Sequence, residues 1–164
     1  MHESSTSADD RGDRWVVAQF ALMGLVLGAG WLPPGWPSSV DALLPALGAV
    51  VSLLGALVAV WAWRTLDRSA SPYPRPREGG RLIVTGPYEY VRHPIYSAGL
   101  LFFTGYALAT SPAAFVPLAA LAVLWRNKAA LEEDLLARRY AEYRDYRARV
   151  PGGFVPRPTS GSAD

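Results

Sequence analysis

The chain has 164 residues, enough for one domain, and 51% of them are hydrophobic while only 18% are charged. Soluble domains usually contain about 25% charged residues, so the charged fraction is low for a soluble protein. The chain has no cysteine and only two histidines, one of them at position 2, which excludes disulfides, thiol nucleophiles, zinc–thiolate sites and histidine metal clusters. The net charge of +2 does not indicate nucleic acid binding.

The first two predicted helices follow an acidic tail. Residues 1–14 lack the basic start of a cleaved signal, so we predict a disordered tail that leads into an uncleaved anchor helix. Residues 15–32 and 42–63 are uncharged stretches that reach about 27 and 33 Å as helices, which matches a hydrocarbon core of about 30 Å. Both are predicted to be transmembrane helices separated by the turn PPGWP. The alternative is a buried core helix of a soluble protein, which so short a chain cannot easily surround with polar elements.

A third uncharged region, residues 95–125, is divided by Ser111 and Pro112 into segments 95–110 and 113–125. Each segment is short for a full crossing, so the pair either spans the bilayer twice or forms a re-entrant hairpin. In both cases the chain returns to the side from which it entered. We therefore predict an all-α polytopic membrane protein with about four transmembrane helices, of which the last two form a helical hairpin.

A loop rich in Pro and Gly, residues 67–93, precedes this hairpin. Loops of this length inside a compact protein are usually functional or disordered. Pro94 suits the first position of the third helix, which places His93 at the N-terminal edge of that helix. We assign residues 15–151 to one membrane domain, with residues 80–151 as its core.

The fourth helix is predicted to continue beyond the apolar segment, because no Gly or Pro occurs between Pro117 and Pro151. This continuation is a cytoplasmic amphipathic helix, in which Leu136, Tyr140 and Tyr143 form a stripe suited to the membrane surface. The segment 152–164 is rich in Pro, Gly and Ser and is predicted to be a disordered tail.

The arginines and lysines predict the orientation of the chain. Two of the 16 precede residue 15, six lie in residues 64–92 and eight follow from residue 126 onward, whereas the turns at 33–39 and 111–112 contain none. The positive-inside rule then places both termini and the central loop in the cytoplasm.

Three groups of polar residues are predicted to converge at the cytoplasmic boundary. The third and fourth helices are joined by a tight turn, so the start of one lies beside the end of the other. The groups are the loop 80–88, the pair His93 and Tyr96, and the set Lys128, Glu132 and Glu133.

Each group also has an ordinary structural interpretation. Lys128 lies four residues before Glu132, a spacing typical of an exposed helical ion pair, although carboxylates near hydrocarbon usually have a partner or a function. His93 alone is typical of a capping histidine. One face of the third helix either accepts a flat, partly cationic ligand or packs against a neighbouring helix, and this face consists of Tyr96, Gly99, Phe103 and Tyr106.

The segments GPYEYVRHPIYSAGLL, EEDLL and YAEYRDYRARVP, with an apolar hairpin between the first two, lie within residues 81–151. This pattern resembles the isoprenylcysteine carboxyl methyltransferase family and the related phospholipid methyltransferases. Members of that family are integral membrane enzymes that use S-adenosylmethionine in a pocket facing the cytoplasm, capped by the loop and the C-terminal helix. The resemblance therefore implies S-adenosylmethionine as the cofactor.

The resemblance also implies roles for individual residues. Contacts to the cofactor are expected from Gly80, Arg81, Leu82, Ile83 and Tyr88, and the pocket wall is expected from His93, Pro94, Ile95 and Tyr96. Glu132 is expected to hold polar atoms of the cofactor. A basic residue four positions earlier binds the acceptor carboxylate in eukaryotic members. Here that position is Lys128 in place of arginine, and Arg126 is a nearby basic alternative.

The acceptor determines whether a base is needed. A carboxylate is already ionised at neutral pH and needs none, whereas an amine or thiol needs a base, for which His93 and Glu133 are the nearest candidates. The candidate catalytic residues are therefore Lys128, Arg126 and Glu133, and no metal ligand is predicted.

The sequence thus predicts S-adenosylmethionine-dependent methyl transfer to a hydrophobic or lipid-like acceptor at the cytoplasmic membrane face. The reaction is either carboxyl O-methylation of an isoprenylcysteine-like group or methylation of a lipid amine. The expected partners are this acceptor and membrane lipid, and the oligomeric state stays open. The alternatives are an NADPH-dependent reductase of the sterol-reductase type, whose C-terminal part is similar to this region, and a non-catalytic membrane scaffold.

Overall fold

The computed structural model describes residues 12–67, 71, 73 and 79–158, and this part of the chain contains helices and no strand. The all-α prediction is therefore confirmed for the described residues. Parts of the predicted tails, residues 1–11 and 159–164, lie outside them. Short 3-10 helices occupy Gly86–Glu89 and Pro112–Ala114. The α-helices are α1 (Asp13–Ala29), α2 (Leu43–Leu66), α3 (Pro94–Ala109), α4 (Phe115–Arg139) and α5 (Tyr143–Arg149).

Helix α2 has the properties of a membrane-spanning helix. It has 24 residues and a mean hydropathy of 2.4, yet only 11% of its apolar window is buried. Leu54 and Leu57 on its outer face are more than half exposed. Apolar side chains point outward in this way where lipid surrounds a helix, whereas the core helix of a soluble protein is mostly buried. The exposure therefore favours the membrane prediction over the soluble alternative.

The lengths of the apolar helices bear on the number of crossings. Pro112–Arg139, which contains α4, is the other described segment long and apolar enough to cross a bilayer. The remaining apolar helices, α1 with 17 residues and α3 with 16, reach only about 26 and 24 Å. Two candidate spans are thus present among the described residues, and a total of four stays a prediction.

Small residues allow α2 and α3 to pack with their backbones in contact. A Cβ atom added at Gly48 would meet the backbone of Gly105, and one added at Gly55 would meet the backbone of Phe102. The hydroxyl of Ser52 donates a hydrogen bond to the Phe102 carbonyl at 3.0 Å. Such packing is typical of helix pairs in membranes. Helix α1 packs mainly against α4, on the other side of the bundle.

The two turns that contain no arginine or lysine meet at one end of the bundle. The Ser111 hydroxyl lies 2.8 and 2.9 Å from the carbonyl oxygens of Leu32 and Pro34, in the turn after α1. The Tyr106 hydroxyl donates a hydrogen bond to the Leu27 carbonyl at 2.6 Å. These contacts fix the hairpin of α3 and α4 against α1.

Helix α4 ends at Arg139 and does not continue to residue 150, so that part of the prediction is wrong. Tyr140 is extended, and its hydroxyl donates to the Gly80 carbonyl at 2.7 Å. The chain turns here so that Tyr143 and Tyr146 of α5 can pack against apolar residues of the loop before α3. The predicted aromatic stripe therefore packs against this loop.

Candidate active site

The start of α3 brings a histidine into the protein interior. Pro94 is the first helical residue and His93 precedes it, as predicted. The His93 side chain makes no capping hydrogen bond, and the residue is only 7% exposed. The capping interpretation is therefore wrong, and the imidazole faces two carboxylates on α4.

Glu132 and Glu133 contact the two nitrogens of this imidazole. His93 Nε2 lies 3.0 Å from Glu133 Oε1, and Nδ1 lies 3.7 Å from Glu132 Oε2. Arg92 Nε donates to Glu133 at 2.9 Å, whereas the Tyr96 hydroxyl donates to Glu132 at 2.5 Å. The charge of Glu133 is thus paired with Arg92, while Glu132 is held by a neutral hydroxyl.

Lys128 lies in the same region, one helical turn before Glu132. It is only 1% exposed, so the interpretation as a solvent-exposed ion pair is wrong. Its Nζ donates to Gln19 Oε1 of α1 at 2.7 Å and lies 5.6 Å from the centre of the Tyr96 ring. We call Arg92, His93, Tyr96, Lys128, Glu132 and Glu133 the polar cluster.

Gln19 is a residue of this region that the sequence analysis missed. It is an amide within the otherwise apolar stretch 15–32, and it is 7% exposed. Polar side chains inside membrane helices usually face a polar partner, so this isolated amide was the available signal. That the partner is Lys128 could be seen only from the packing of α1 against α4.

Arg126 does not join the polar cluster. Two residues along a helix correspond to a rotation of about 200°, so Arg126 and Lys128 point to nearly opposite sides of α4. Arg126 is exposed and lines a different cavity, on the far side of the helix. Of the two basic candidates, only Lys128 lies beside Glu132.

The loop before α3, the end of α4 and α5 enclose a cavity of about 110 Å³. Half of the residues predicted to contact the cofactor line this cavity, namely Gly80, Arg81, Leu82, Ile83 and Tyr88. The opposite wall is aromatic and aliphatic, and includes Leu136, Tyr140, Tyr143 and Tyr146.

The tyrosine hydroxyls at this cavity have different environments. Tyr140 donates to the Gly80 carbonyl and Tyr146 to the Tyr88 carbonyl, each at 2.7 Å, which fixes the loop. The Tyr143 hydroxyl is buried and has no hydrogen-bond partner among the described residues. Burial raises the pKa of Tyr143 and raises the pKa of Tyr146 to about 12, so both hydroxyls are protonated at neutral pH. The Tyr143 hydroxyl is thus available to a ligand.

Tyr88 connects the cavity with the polar cluster. Burial raises its pKa, and the neighbouring Tyr146 and the Glu132 carboxylate raise this pKa further. The other predicted cofactor residues do not line the cavity but lie behind it: His93, Tyr96 and Glu132 in the polar cluster, and Pro94 and Ile95 in the first turn of α3. The five predicted residues that line the cavity and the five that do not therefore lie in adjoining layers.

Aromatic rings surround the imidazole. The Phe154 ring stacks on His93 and Tyr96 at centroid distances of 5.7 and 6.0 Å, and Tyr96 stacks on Trp125 at 5.4 Å. The Trp125 ring also fills the space beside Gly99. This face of α3 is therefore occupied by internal packing, so it does not present an open surface to a flat cation.

The chain after α5, which lies in the segment predicted to be a disordered tail from residue 152, packs on the start of α3. The backbone N–H groups of Arg92 and His93 donate to the carbonyls of Gly152 and Gly153, both at 3.0 Å. Composition predicted disorder, but these carbonyls bind N–H groups that α3 cannot satisfy. We call residues 151–157 the C-terminal strap.

Known proteins resemble the chain over most of its length. It is 29% identical over 144 residues to the nickel-cobalt-cadmium resistance protein NccN of Alcaligenes xylosoxydans xylosoxydans, a match that covers 87% of this chain and 62% of that protein. It is 31% identical over 144 residues to the cobalt-zinc-cadmium resistance protein CzcN of Cupriavidus metallidurans, covering 87% of this chain and 61% of that protein. The chain therefore spans about three fifths of the length of these relatives.

The helical fold with its membrane-exposed faces, and the polar cluster beside a loop cavity, are consistent with the class of membrane methyltransferases. Residues 43–143 match the phospholipid methyltransferase family, a match that extends from α2 to the start of α5. The chain belongs to this family, which is part of the isoprenylcysteine carboxyl methyltransferase-like group. The resemblance noted in the sequence is thereby confirmed.

Proposed function

We propose that the chain transfers a methyl group from S-adenosylmethionine to a hydrophobic or lipid-like acceptor at the cytoplasmic face of the membrane. The main support is the position of Arg92, which lines the loop cavity together with Tyr88 and also donates to Glu133 in the polar cluster at 2.9 Å, so the cavity and the cluster adjoin. Family membership supports methyl transfer in general.

The residues at the cavity suit a positively charged cofactor. When bound, S-adenosylmethionine supplies an electrophilic methyl group. The tyrosine rings that line the cavity and the Glu132 carboxylate behind it provide the negative potential that a cation requires, and the Tyr143 hydroxyl offers an unused donor. The volume of about 110 Å³ is small beside ligand pockets of about 300–1,000 Å³, so we expect the loop to move outward on binding.

The polar cluster also suggests which acceptor is favoured. The buried amine of Lys128, which donates to Gln19 and lies 5.6 Å from the centre of the Tyr96 ring, would attract an anionic acceptor such as a carboxylate. An amine acceptor would require a base. Glu133 is held by Arg92 and His93, and the two nitrogens of His93 face Glu133 and Glu132, so both candidate bases are already engaged. We therefore favour carboxyl O-methylation, with Lys128 orienting the acceptor.

The test of this function is incubation of the purified chain with labelled S-adenosylmethionine and a lipid extract, followed by identification of the labelled product. Titration with the cofactor and with NADPH separates the alternatives. Affinity for NADPH without affinity for S-adenosylmethionine would indicate the reductase, and affinity for neither would indicate the scaffold.

The names of the two relatives favour a second candidate function, a role in resistance to nickel, cobalt, zinc or cadmium. We propose that such a role would depend on methyl transfer. Cells that lack the protein should then regain metal tolerance with the wild type and not with Glu132→Gln. Equal rescue by the wild type and by Glu132→Gln would show that metal tolerance does not depend on this site.

The hydroxyl of Tyr143 provides a specific prediction. Because it is buried without a partner, Tyr143→Phe should leave the melting temperature of the free protein unchanged or slightly higher. The same change should weaken S-adenosylmethionine binding about 2- to 10-fold if the ligand accepts this hydrogen bond. Calorimetric titration measures the affinity, and Tyr73→Phe, on an exposed residue, is the control. Unchanged affinity would remove Tyr143 from the proposed site.

The multi-pass topology with both termini in the cytoplasm is also a proposal, supported by the distribution of arginine and by the meeting of the two uncharged turns at one end. Because the chain has no cysteine, single cysteines can report on each side. A membrane-impermeant thiol reagent applied to intact cells should label Ser38→Cys and not Arg144→Cys, both at exposed positions. The reverse pattern would contradict the orientation.

A further inference from the structure

A second cavity of about 310 Å³ lies between α4 and the C-terminal strap. It is on the side of α4 opposite Lys128, and the Arg92–Glu133 pair separates it from the rest of the polar cluster. Neither the proposed cofactor contacts nor the proposed acceptor contacts include it.

The charges at this cavity are strongly positive. Arg126 from α4 and Arg157 from the strap line it, and both are exposed without an ion-pair partner among the described residues. Arg92 and Glu133 also line it, but they neutralise each other at 2.9 Å. The cavity therefore has a net excess of two guanidinium groups, which can bind a phosphate through paired hydrogen bonds.

The position of the cavity indicates where the phosphate would come from. Arg126 is the first charged residue after the uncharged region 95–125, so it marks the point at which α4 leaves the hydrocarbon. Between the arginines the wall is apolar, with Ala129, Ala130 and Val155. Val123, one turn before Arg126 and exposed, lies on the hydrocarbon side of the cavity, so a pair of cations beside this apolar surface at the membrane boundary matches the phosphate and upper acyl chain of a lipid.

We propose that this cavity binds the phosphate of an anionic glycerophospholipid, with Arg126 and Arg157 as its ligands. The bound lipid bridges α4 and the strap. Because the strap also holds Phe154 against His93, lipid binding stabilises the arrangement of the polar cluster. The site is distinct from the methyl acceptor, since it lies on the other side of the helix.

The experiment uses the purified full chain in detergent without cofactor, so that its outcome does not depend on the proposed function. Melting temperature is recorded against phosphatidylglycerol, phosphatidylcholine and inorganic phosphate. We expect phosphatidylglycerol to raise the melting temperature most. The double variant Arg126→Gln/Arg157→Gln should lose about tenfold in apparent affinity for each arginine. Arg138→Gln/Arg144→Gln removes the same charge from exposed positions that do not line the cavity, and should retain the response.

Two results would overturn this assignment: an equal response to phosphatidylglycerol and phosphatidylcholine, or an equal loss in both double variants. An equal response to inorganic phosphate and phosphatidylglycerol would instead indicate a site for free phosphate and exclude the lipid. If the double variant unfolds, the single variant Arg157→Gln decides between the outcomes. Arg157 is an exposed strap residue without an ion-pair partner among the described residues, so its replacement should leave the fold intact and still weaken lipid binding.

Discussion

Glu132→Gln is expected to abolish most of the affinity for S-adenosylmethionine while the protein stays folded. Glutamine has nearly the same shape and can still accept the hydrogen bond from Tyr96, so the change removes mainly the negative charge. Hydrogen bonds to charged groups contribute about 1.5–3 kcal/mol each, which corresponds to a loss of about 10- to 100-fold in affinity. Methyl transfer should fall at least as much, because the same carboxylate interacts with Lys128.

Calorimetric titration of wild type and variant measures this loss, with the melting temperature as a check on folding. Asp134→Asn is the matched control, since it removes a carboxylate two residues away on the exposed side of α4. The control should bind the cofactor as the wild type does. If Glu132→Gln binds equally well, the carboxylate does not face the cofactor, and the loop cavity would have to bind its ligand without the polar cluster.

Local rules predict the parts of the site that depend on few residues. A proline directly after His93 fixes the start of α3, and the uncharged stretches define the apolar helices. Helical geometry alone could also have separated Arg126 from Lys128, because a spacing of two residues places them on opposite sides of one helix. The sequence could therefore have shown that Arg126 and Lys128 do not face the same site, although they are close in the chain.

Other features depend on contacts between distant segments. No Gly or Pro marks the end of α4; the helix stops where the Tyr140 hydroxyl meets the Gly80 carbonyl across the loop cavity. The two glycines of the strap suggest disorder by composition, yet their carbonyls accept hydrogen bonds from the start of α3. In both cases a tertiary hydrogen bond overrides the local preference, and no property of the segment itself could indicate it.

The contacts of Gln19 show how α1 takes part in the site although it precedes the family match at residues 43–143. A buried lysine near hydrocarbon needs hydrogen-bond acceptors, and the amide oxygen of Gln19 supplies one at 2.7 Å. The position of α1 against α4 thus helps to keep the Lys128 amine beside Glu132. This arrangement links the packing of the helices to the chemistry proposed for the cluster.

The packing of α2 on α3 leads to the largest expected effect on stability. Gly105→Ala would place a methyl group against the backbone nitrogen of Ser52 and the carbonyl oxygen of Gly48, which cannot move aside as a side chain can. The helices must separate along their contact, and overpacking of this kind costs about 1–3 kcal/mol or more. Because α3 begins at the site, the shift should also weaken cofactor binding. Thermal unfolding in detergent measures the first effect.

Gly28→Ala is the matched control for this prediction. A Cβ atom added at Gly28 in α1 has no neighbour within 4 Å, so the same chemical change there produces no overlap. Alanine is favoured over glycine in a helix by about 1 kcal/mol, so this variant should be as stable as the wild type or more stable. The two changes should therefore shift the melting temperature in opposite directions. A shift of the same sign and size for both would mean that α2 and α3 are not held together by direct backbone contact.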